Sequence, residues 1–406
     1  MRVALQAAIF CVFKAIVLVA PLAASHVYPL ATYGALEWTI ALATTLLPVA
    51  ALGLTAAIPY FLLHVQKADV AASIRLYGRG LTVVGVVAAA AALVTGHLLW
   101  GLVIASTAAF AGQALWSAFE KAGGRPARAS AYDAGFYVAL LGAVTASAVS
   151  GVGLEAVVGG LLLYLLVLFW RSFSGVGGGH QLRVALAYGM PFVIPTVAMV
   201  GLVNSGRAIA GYALPSDQMG LYGFVFRIVA PAVLVHQLLG ILYFRQLYAT
   251  RDSRSLDRYF MAVAVGVGFV AGGLFLAVPL VDTELSDVLA MAKSDPNFAR
   301  IHYWLSVQMI LWVGLALVEP IMARENRAGA QTAVLSVVLA AFVAAAAIAH
   351  SMQALSLTLL VCMHVIALAV ALLLIIRSLA TVGVRLPRLA VVAIALLGSS
   401  IAGMSL

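Results

Sequence analysis

Five ionisable side chains stand inside runs of sequence that are otherwise apolar: Lys14, Glu37, Arg207, Arg227 and Glu319. A Lys or Arg near the centre of a membrane-spanning helix costs about 2.5–3.5 kcal/mol on insertion scales, so it needs a wet cavity, a partner or a ligand. Guanidinium forks and ammonium point charges suit phosphate oxygens, which makes Lys14, Arg207 and Arg227 candidates for a cationic cavity that captures an anionic head group. The competing readings are structural: Arg227 snorkels or pairs with a helix C-terminus, and Glu37 neutralises Lys14. Glu37 and Glu319 are the candidates for ion coupling. Pro320, directly after Glu319, frees a backbone carbonyl and kinks its helix, and the simpler role for Glu319 is a pair with Arg324.

Other chemistries find little support. Cys11 and Cys362 both lie in apolar segments and suggest neither a disulfide nor a metal site. The eight His residues are dispersed, without H-E-x-x-H or any paired spacing. No catalytic residues, metal site or cofactor are assigned, and an enzyme is not expected. The Lys and Arg residues are scattered singly or in pairs, which excludes a nucleic-acid patch despite the net charge of +9.

The elements that position these charges follow from composition. Of 406 residues, 64% are apolar and only 9% charged, against roughly 25% charged in soluble domains. Apolar runs of about 20 residues fit helices that cross a ~30 Å hydrocarbon core, and they are too long for the ~10-residue strands of a barrel. The expected fold is an all-α polytopic membrane protein. Thirteen spans are read at 3–22, 33–60, 78–96, 98–119, 132–151, 153–171, 185–211, 219–244, 258–281, 301–323, 329–349, 354–377 and 387–403, with twelve as the alternative count. Arg2, an apolar stretch and Ala23-Ala24-Ser25 resemble a cleavable signal, but Lys14 in the middle favours a first span.

With the N-terminus placed in the cytoplasm, 18 of the 23 Lys and Arg residues fall on inside loops and ends, and only Lys293 and Arg300 fall outside. That asymmetry sets the expected orientation. Trp38, Trp100, Trp116 and Trp170 sit near span ends, as an interfacial belt would. Gly268 and Gly272 read as close helix packing, and the acidic stretch 282–300 as a solvated outer connector.

The flexible segment from Ser172 to His180 follows six spans and reads as a linker, because the two sides resemble each other. Lys14-Ala15-Ile16 followed by Tyr33-Gly34 matches Arg207-Ala208-Ile209 followed by Tyr222-Gly223, and Tyr60-Phe61 answers Tyr243-Phe244. The expected organisation is a six-helix lobe at 1–171, a Gly-rich linker at 172–184, a pseudo-symmetric six-helix lobe at 185–377 and a further span in 378–406. Pro48, Pro59, Pro191, Pro195 and Pro231 interrupt spans two, seven and eight. Those helices would line a central cavity between the lobes, and broken helices bend as lobes rock.

Residues 28–62, from Tyr28-Pro29-Leu30-Ala31-Thr32-Tyr33-Gly34 through Leu52-Gly53-Leu54 to Pro59-Tyr60-Phe61-Leu62, resemble the first-to-second-span signature of the MOP superfamily of multidrug, oligosaccharidyl-lipid and polysaccharide exporters. Tyr188-Gly189-Met190-Pro191, Ser205-Gly206-Arg207 and Gly220-Leu221-Tyr222-Gly223 resemble its seventh and eighth spans, closest to the O-antigen (Wzx-like) flippase branch. The resemblance implies two lobes, alternating access, and movement of polyprenyl-diphosphate-linked repeat units across a bacterial cytoplasmic (inner) membrane. Lys14, Arg207 and Arg227 would then match basic cavity positions. The implied partners are a lipid-linked anionic glycan, membrane lipids and other polysaccharide assembly proteins. Three features depart from the pattern: Asn204-Ser205-Gly206 where an acidic residue often precedes the arginine, the long 282–300 loop, and a thirteenth span. The alternatives are a cation-coupled drug exporter of the same superfamily, disfavoured by three buried bases, and a membrane-embedded glycan polymerase or ligase, disfavoured by the lack of substantial outer loops.

Overall fold

A computed structural model describes residues 2–171, 181–234, 236, 250–280 and 287–404. These residues are helical, with no strand among them, and eleven helices are long and apolar enough to cross a membrane. The eleven correspond to expected spans one to seven and nine to twelve. Span thirteen is a shorter apolar helix, and span eight runs partly outside the described residues. The chain divides into two compact units, Met1–Val197 and Ala198–Leu406. Of the expected linker, 172–180 lies outside the described residues. The Gln181 N–H donates to Ser73 Oγ at 3.3 Å.

The first unit holds α1 (Arg2–Val27), α2 (Leu30–Ala50), α3 (Leu54–Pro59), α4 (Ala68–Val94), α5 (Leu98–Ala122), α6 (Pro126–Ser150), α7 (Leu154–Arg171) and α8 (Leu182–Gly189). Its centre is α5, with 67% of its apolar window buried against α2, α3, α4, α6 and α7. Small residues let the neighbours close in where lipid offers no hydrophobic drive between helices. A methyl at Gly85 would lie 2.4 Å from the Ala108 Cβ, and one at Gly135 would lie 2.0 Å from the Tyr164 hydroxyl oxygen. Gln113 links three helices. Its Oε1 accepts from the Phe136 N–H at 3.0 Å and from the Tyr164 hydroxyl at 3.4 Å.

Span two is broken. Its helix stops at Ala50, Leu52 and Gly53 adopt φ of +49° and +67°, and a single π turn (Tyr60–His64) follows Pro59. Span seven is broken as well, between α8 and α9 (Val193–Ala213), by a 3₁₀ turn at Met190–Phe192 that contains Pro191. The two breaks meet backbone to backbone. A methyl at Gly53 would stand 2.0 Å from the Gly189 carbonyl oxygen, and Tyr60 stacks on Tyr188 at 4.1 Å.

The second unit holds most of α9, then α10 (Ser216–Val229), α11 (Ser253–Ala277), α12 (Asp287–Ser294), α13 (Phe298–Arg324), α14 (Ala328–Ser351), α15 (Leu357–Ala380) and α16 (Pro387–Met404). Its central helices are α13 and α15, whose apolar windows are 72% and 67% buried. A break follows α10, where Ala230 is a turn before Pro231 and residues 231–234 resume the helix. Asp257 on α11 is buried and accepts the backbone N–H groups of Arg388 and Leu389 at 3.1 and 3.2 Å, so it caps α16.

Several sequence expectations need correction. The third span begins ten residues earlier than hydropathy suggests, at Ala68, so Arg75 and Arg79 are helical and Arg75 stacks over Phe119 at 5.0 Å. Backbone helix continues through the headgroup zone after the apolar run has ended. Trp116 is buried against Phe119 and Tyr132, unlike the exposed Trp100 and Trp170. Gly268 faces Ile310 at 3.5 Å, but Gly272 has nothing within 4 Å among the described residues. The 282–300 connector contains α12, and its residues 282–286 lie outside the described residues.

Two measurements check these supports. Gly53→Ala combines left-handed strain with a backbone clash and is expected to destabilise by at least about 2 kcal/mol. Gly96→Ala, at φ +79° with open space around it, should cost only about 1 kcal/mol. Equal losses in detergent unfolding midpoint would remove the case for contact between the breaks. Asp257→Ala should cost about 1–2 kcal/mol and accelerate amide exchange in the first turn of α16, whereas Asn at 257 should restore part of both.

Candidate functional site

The second unit gathers polar side chains into its core. On α9, the stretch Gly201–Arg207 is buried. Its small residues open the backbone to neighbours from α10 and α15. His364 is the lone His, Lys, Arg, Asp or Glu within the membrane depth of α15, the most apolar of the membrane-length helices among the described residues, and it is fully buried. Its Nε2 lies 2.7 Å from the Leu202 carbonyl oxygen, which can only accept, so Nε2 carries the proton. Its ring stacks on Phe342 at 5.1 Å. The other ring nitrogen converges with the hydroxyl of fully buried Tyr222 on Gly206, where an added methyl would lie 2.4 Å from His364 Nδ1 and 2.7 Å from Tyr222 Oη.

His364 Nδ1 and Trp304 Nε1 on α13 have no hydrogen-bond partner among the described residues. The Gln308 carboxamide, also on α13, interacts with the Tyr222 hydroxyl without a well-formed hydrogen bond, and Trp304 is one helical turn from Gln308. Unsatisfied polar atoms in a native core are rare and retain capacity for a further partner.

Arg207 adjoins this group. Its Nη2 donates to Asn204 Oδ1, and Asn204 Nδ2 in turn donates to the Val200 carbonyl at 3.1 Å. The Arg207 guanidinium carbon lies 4.0 Å from the Phe226 ring centroid, and that of Arg227 lies 6.0 Å from the same centroid. The two cations are therefore within about 10 Å of each other around one aromatic ring. Both arginines are buried, at 6% and 5% exposure. Arg207 and Arg227 are thus brought together in one unit.

Lys14 belongs to the first unit. It lies half-buried on α1 over the Phe10 ring at 5.4 Å and within electrostatic reach of Asp133 on α6. Asp133 also pairs with Lys121 at 3.1 Å. Glu37 is fully buried on α2 and accepts from the Tyr33 hydroxyl at 3.1 Å. Glu319 is exposed on α13, and Arg324 pairs with Glu325 at 2.7 Å and with the Thr250 carbonyl oxygen. A five-residue spacing turns the two side chains away from one helix face, whereas three or four would align them. Among the described residues no three His, Cys, Asp or Glu side chains converge as a metal site would require.

The repeat seen in the sequence has a local structural counterpart. Pro29 and Pro215 take matching backbone angles, −53°/148° and −54°/146°, immediately before α2 and α10. Tyr33 and Tyr222 are both fully buried shortly after. The residue four positions on is Glu37 in one helix and Phe226 in the other. Tyr243 and Phe244 lie outside the described residues.

Sequence reasoning missed His364, Gln308 and the role of Phe226. His364 carried the same signal as Lys14, a polar residue alone in an apolar span. Metal-ligand spacing, the usual criterion for histidine, does not register it.

Gly206→Ala is expected to destabilise by about 1–3 kcal/mol, because the His364 ring is held by Phe342 and Leu202 and cannot swing aside. Combining it with His364→Ala should recover part of that loss, and a strictly additive double-mutant cycle in chemical unfolding would contradict the convergence.

No protein-family model, curated protein or solved structure matches the chain.

Proposed function

We propose that this protein is a transporter that flips polyprenyl-diphosphate-linked oligosaccharide units across a bacterial cytoplasmic membrane by alternating access. The observation that carries this reading is the burial of Arg207 and Arg227 around Phe226 at membrane depth. Two guanidiniums held around one ring within a polar core concentrate positive charge where an anionic group is favoured. A diphosphate carries the complementary charge, and paired guanidiniums recognise its oxygens in a geometry that ammonium groups do not match. The unsatisfied hydroxyl, imidazole and carboxamide atoms beside them offer sites for sugar hydroxyls or water.

Lys14 would extend the cationic path in the first unit, and Glu37 would exchange the coupling ion. The helix breaks at 51–53, 189–192 and 230 supply places where spans two, seven and eight bend. The Lys and Arg asymmetry supports a cytoplasmic N-terminus.

Reconstituted vesicles carrying a lipid-linked oligosaccharide test this. Arg207→Ala with Arg227→Ala should lower the translocation rate by at least about 100-fold, and Lys14→Ala by a smaller factor. Glu37→Gln should abolish dependence on an imposed ion gradient while leaving substrate binding within a few-fold. Undiminished flipping by the arginine double variant would defeat the reading. Efflux of organic cations in its place would favour a drug exporter, and polymer shortening in a deletion strain would favour a polymerase.

A further inference from the structure

The first unit holds a separate cavity of about 330 Å³, lined by Arg128, Arg171, Glu120, Tyr132, Tyr164 and Val167 among others. It lies where α5 ends, α6 begins and α7 ends. Those three termini share one membrane face, because α5 and α6 are joined by a three-residue turn and α6 and α7 each cross once. The acids of this neighbourhood are already engaged. Arg125 Nε lies 2.6 Å from Glu120 Oε2, and Lys121 Nζ lies 3.1 Å from Asp133 Oδ2. Arg128 forms no salt bridge or hydrogen bond among the described residues, and the Tyr132 hydroxyl sits in the field of Arg171, Arg128 and Arg125 together with that of Glu120.

One wall of the cavity faces lipid. Val167 lines it and is 50% exposed, and Leu163 and Leu166 on the same helix are 65% and 52% exposed. Trp170 is 78% exposed beside Arg171, as suits a side chain at headgroup level. The volume sits at the small end of the ~300–1,000 Å³ typical of ligand pockets, which suits a headgroup rather than an oligosaccharide. Basic pockets between spanning helices that open onto lipid recognise anionic headgroups.

We propose that this cavity is a binding site for the phosphate headgroup of an anionic membrane phospholipid, with the acyl chains along the exposed flank of α7. Arg128 and Arg171 clamp the phosphate, and Tyr132 donates its hydroxyl. The site stands apart from the polar core of the second unit and does not depend on the transport reading.

The test uses the full chain in detergent and in nanodiscs, with phosphatidylglycerol, phosphatidylcholine and inorganic phosphate as separate probes. Phosphatidylglycerol should remain bound in native mass spectra and raise the thermal unfolding midpoint, and phosphatidylcholine should do neither. Arg128→Gln with Arg171→Gln should weaken phosphatidylglycerol retention at least about tenfold, whereas Arg377→Gln with Arg385→Gln, exposed charges of the second unit, should leave it unchanged. Should the first pair not fold, Ala131→Phe, which fills the cavity and keeps every charge, should displace the lipid to the same degree. Equal retention in all variants overturns the proposal. Stabilisation by inorganic phosphate with no preference for phosphatidylglycerol overturns it too, and reassigns the cavity to a soluble anion.

Discussion

Hydrocarbon offers no hydrogen-bond partner, so every departure from a regular helix and every polar side chain at membrane depth must be answered from within the protein. That constraint organises this chain. The break in span two is answered by local turns, with the Ala51 and Leu52 N–H groups donating to the Leu47 and Val49 carbonyls, and near 190 the Met190 N–H donates to the Leu186 carbonyl. Each packs against the other through two glycines that admit no Cβ, and the Tyr60–Tyr188 stack closes the same joint. Breaks that face lipid would be costly. Breaks that face each other become a joint about which helices can bend.

The same constraint explains the polar links elsewhere. Gln113 answers groups on α6 and α7 at the centre of the first unit, and Asp257 answers the open N–H groups at the start of α16. In both cases a buried polar side chain is matched by a donor or acceptor fixed by another helix. The core around Tyr222, His364 and Gln308 is different, because several of its atoms are unmatched although their burial is complete or nearly so. A buried donor or acceptor left unsatisfied costs about 1–3 kcal/mol, and such atoms also occur at Ser106 and Ser117 in the first unit. What sets this core apart is that its unmatched atoms lie beside two buried arginines.

What could be read beforehand follows from which signals are one-dimensional. The positions of eleven of the thirteen expected spans were legible because twenty apolar residues in a row have a single physical meaning. Pro191 and Pro231 fall at helix breaks as expected, whereas α2 runs through Pro48, α9 runs through Pro195, and the span-two break sits at Leu52 and Gly53. Contacts between helices were not legible. Trp116 looked interfacial from its place near a span end, yet it faces inward against Phe119 and Tyr132. The start of α4 was misplaced because hydropathy registers the apolar segment and not the helix that extends past it. Glu319 was matched to Arg324 by proximity along the chain, whereas helix geometry turns them apart and Arg324 takes Glu325. Gly206 gave no hint that His364 and Tyr222, 158 and 16 positions further on, converge on its missing side chain, because only three-dimensional packing carries that information.

The repeat deserves a chemical reading as well as a geometric one. A proline with the same backbone angles opens α2 and α10, and a fully buried tyrosine followed by glycine sits one or two turns inside each. A duplicated frame would be expected to carry duplicated chemistry if its role were only to fold. Here the position one turn past the tyrosine holds a carboxylate in one helix and a phenyl ring flanked by guanidiniums in the other. The tyrosine hydroxyl donates to Glu37 in the first case and is left beside an imidazole nitrogen in the second. In the transport reading proposed above, repeating the frame while exchanging acid for cation-bearing ring would separate two tasks that oppose each other electrostatically. A carboxylate that binds and releases a cation works poorly beside fixed positive charge, and an anion site works poorly beside a carboxylate. On that reading, holding them in different units would let one chain keep both.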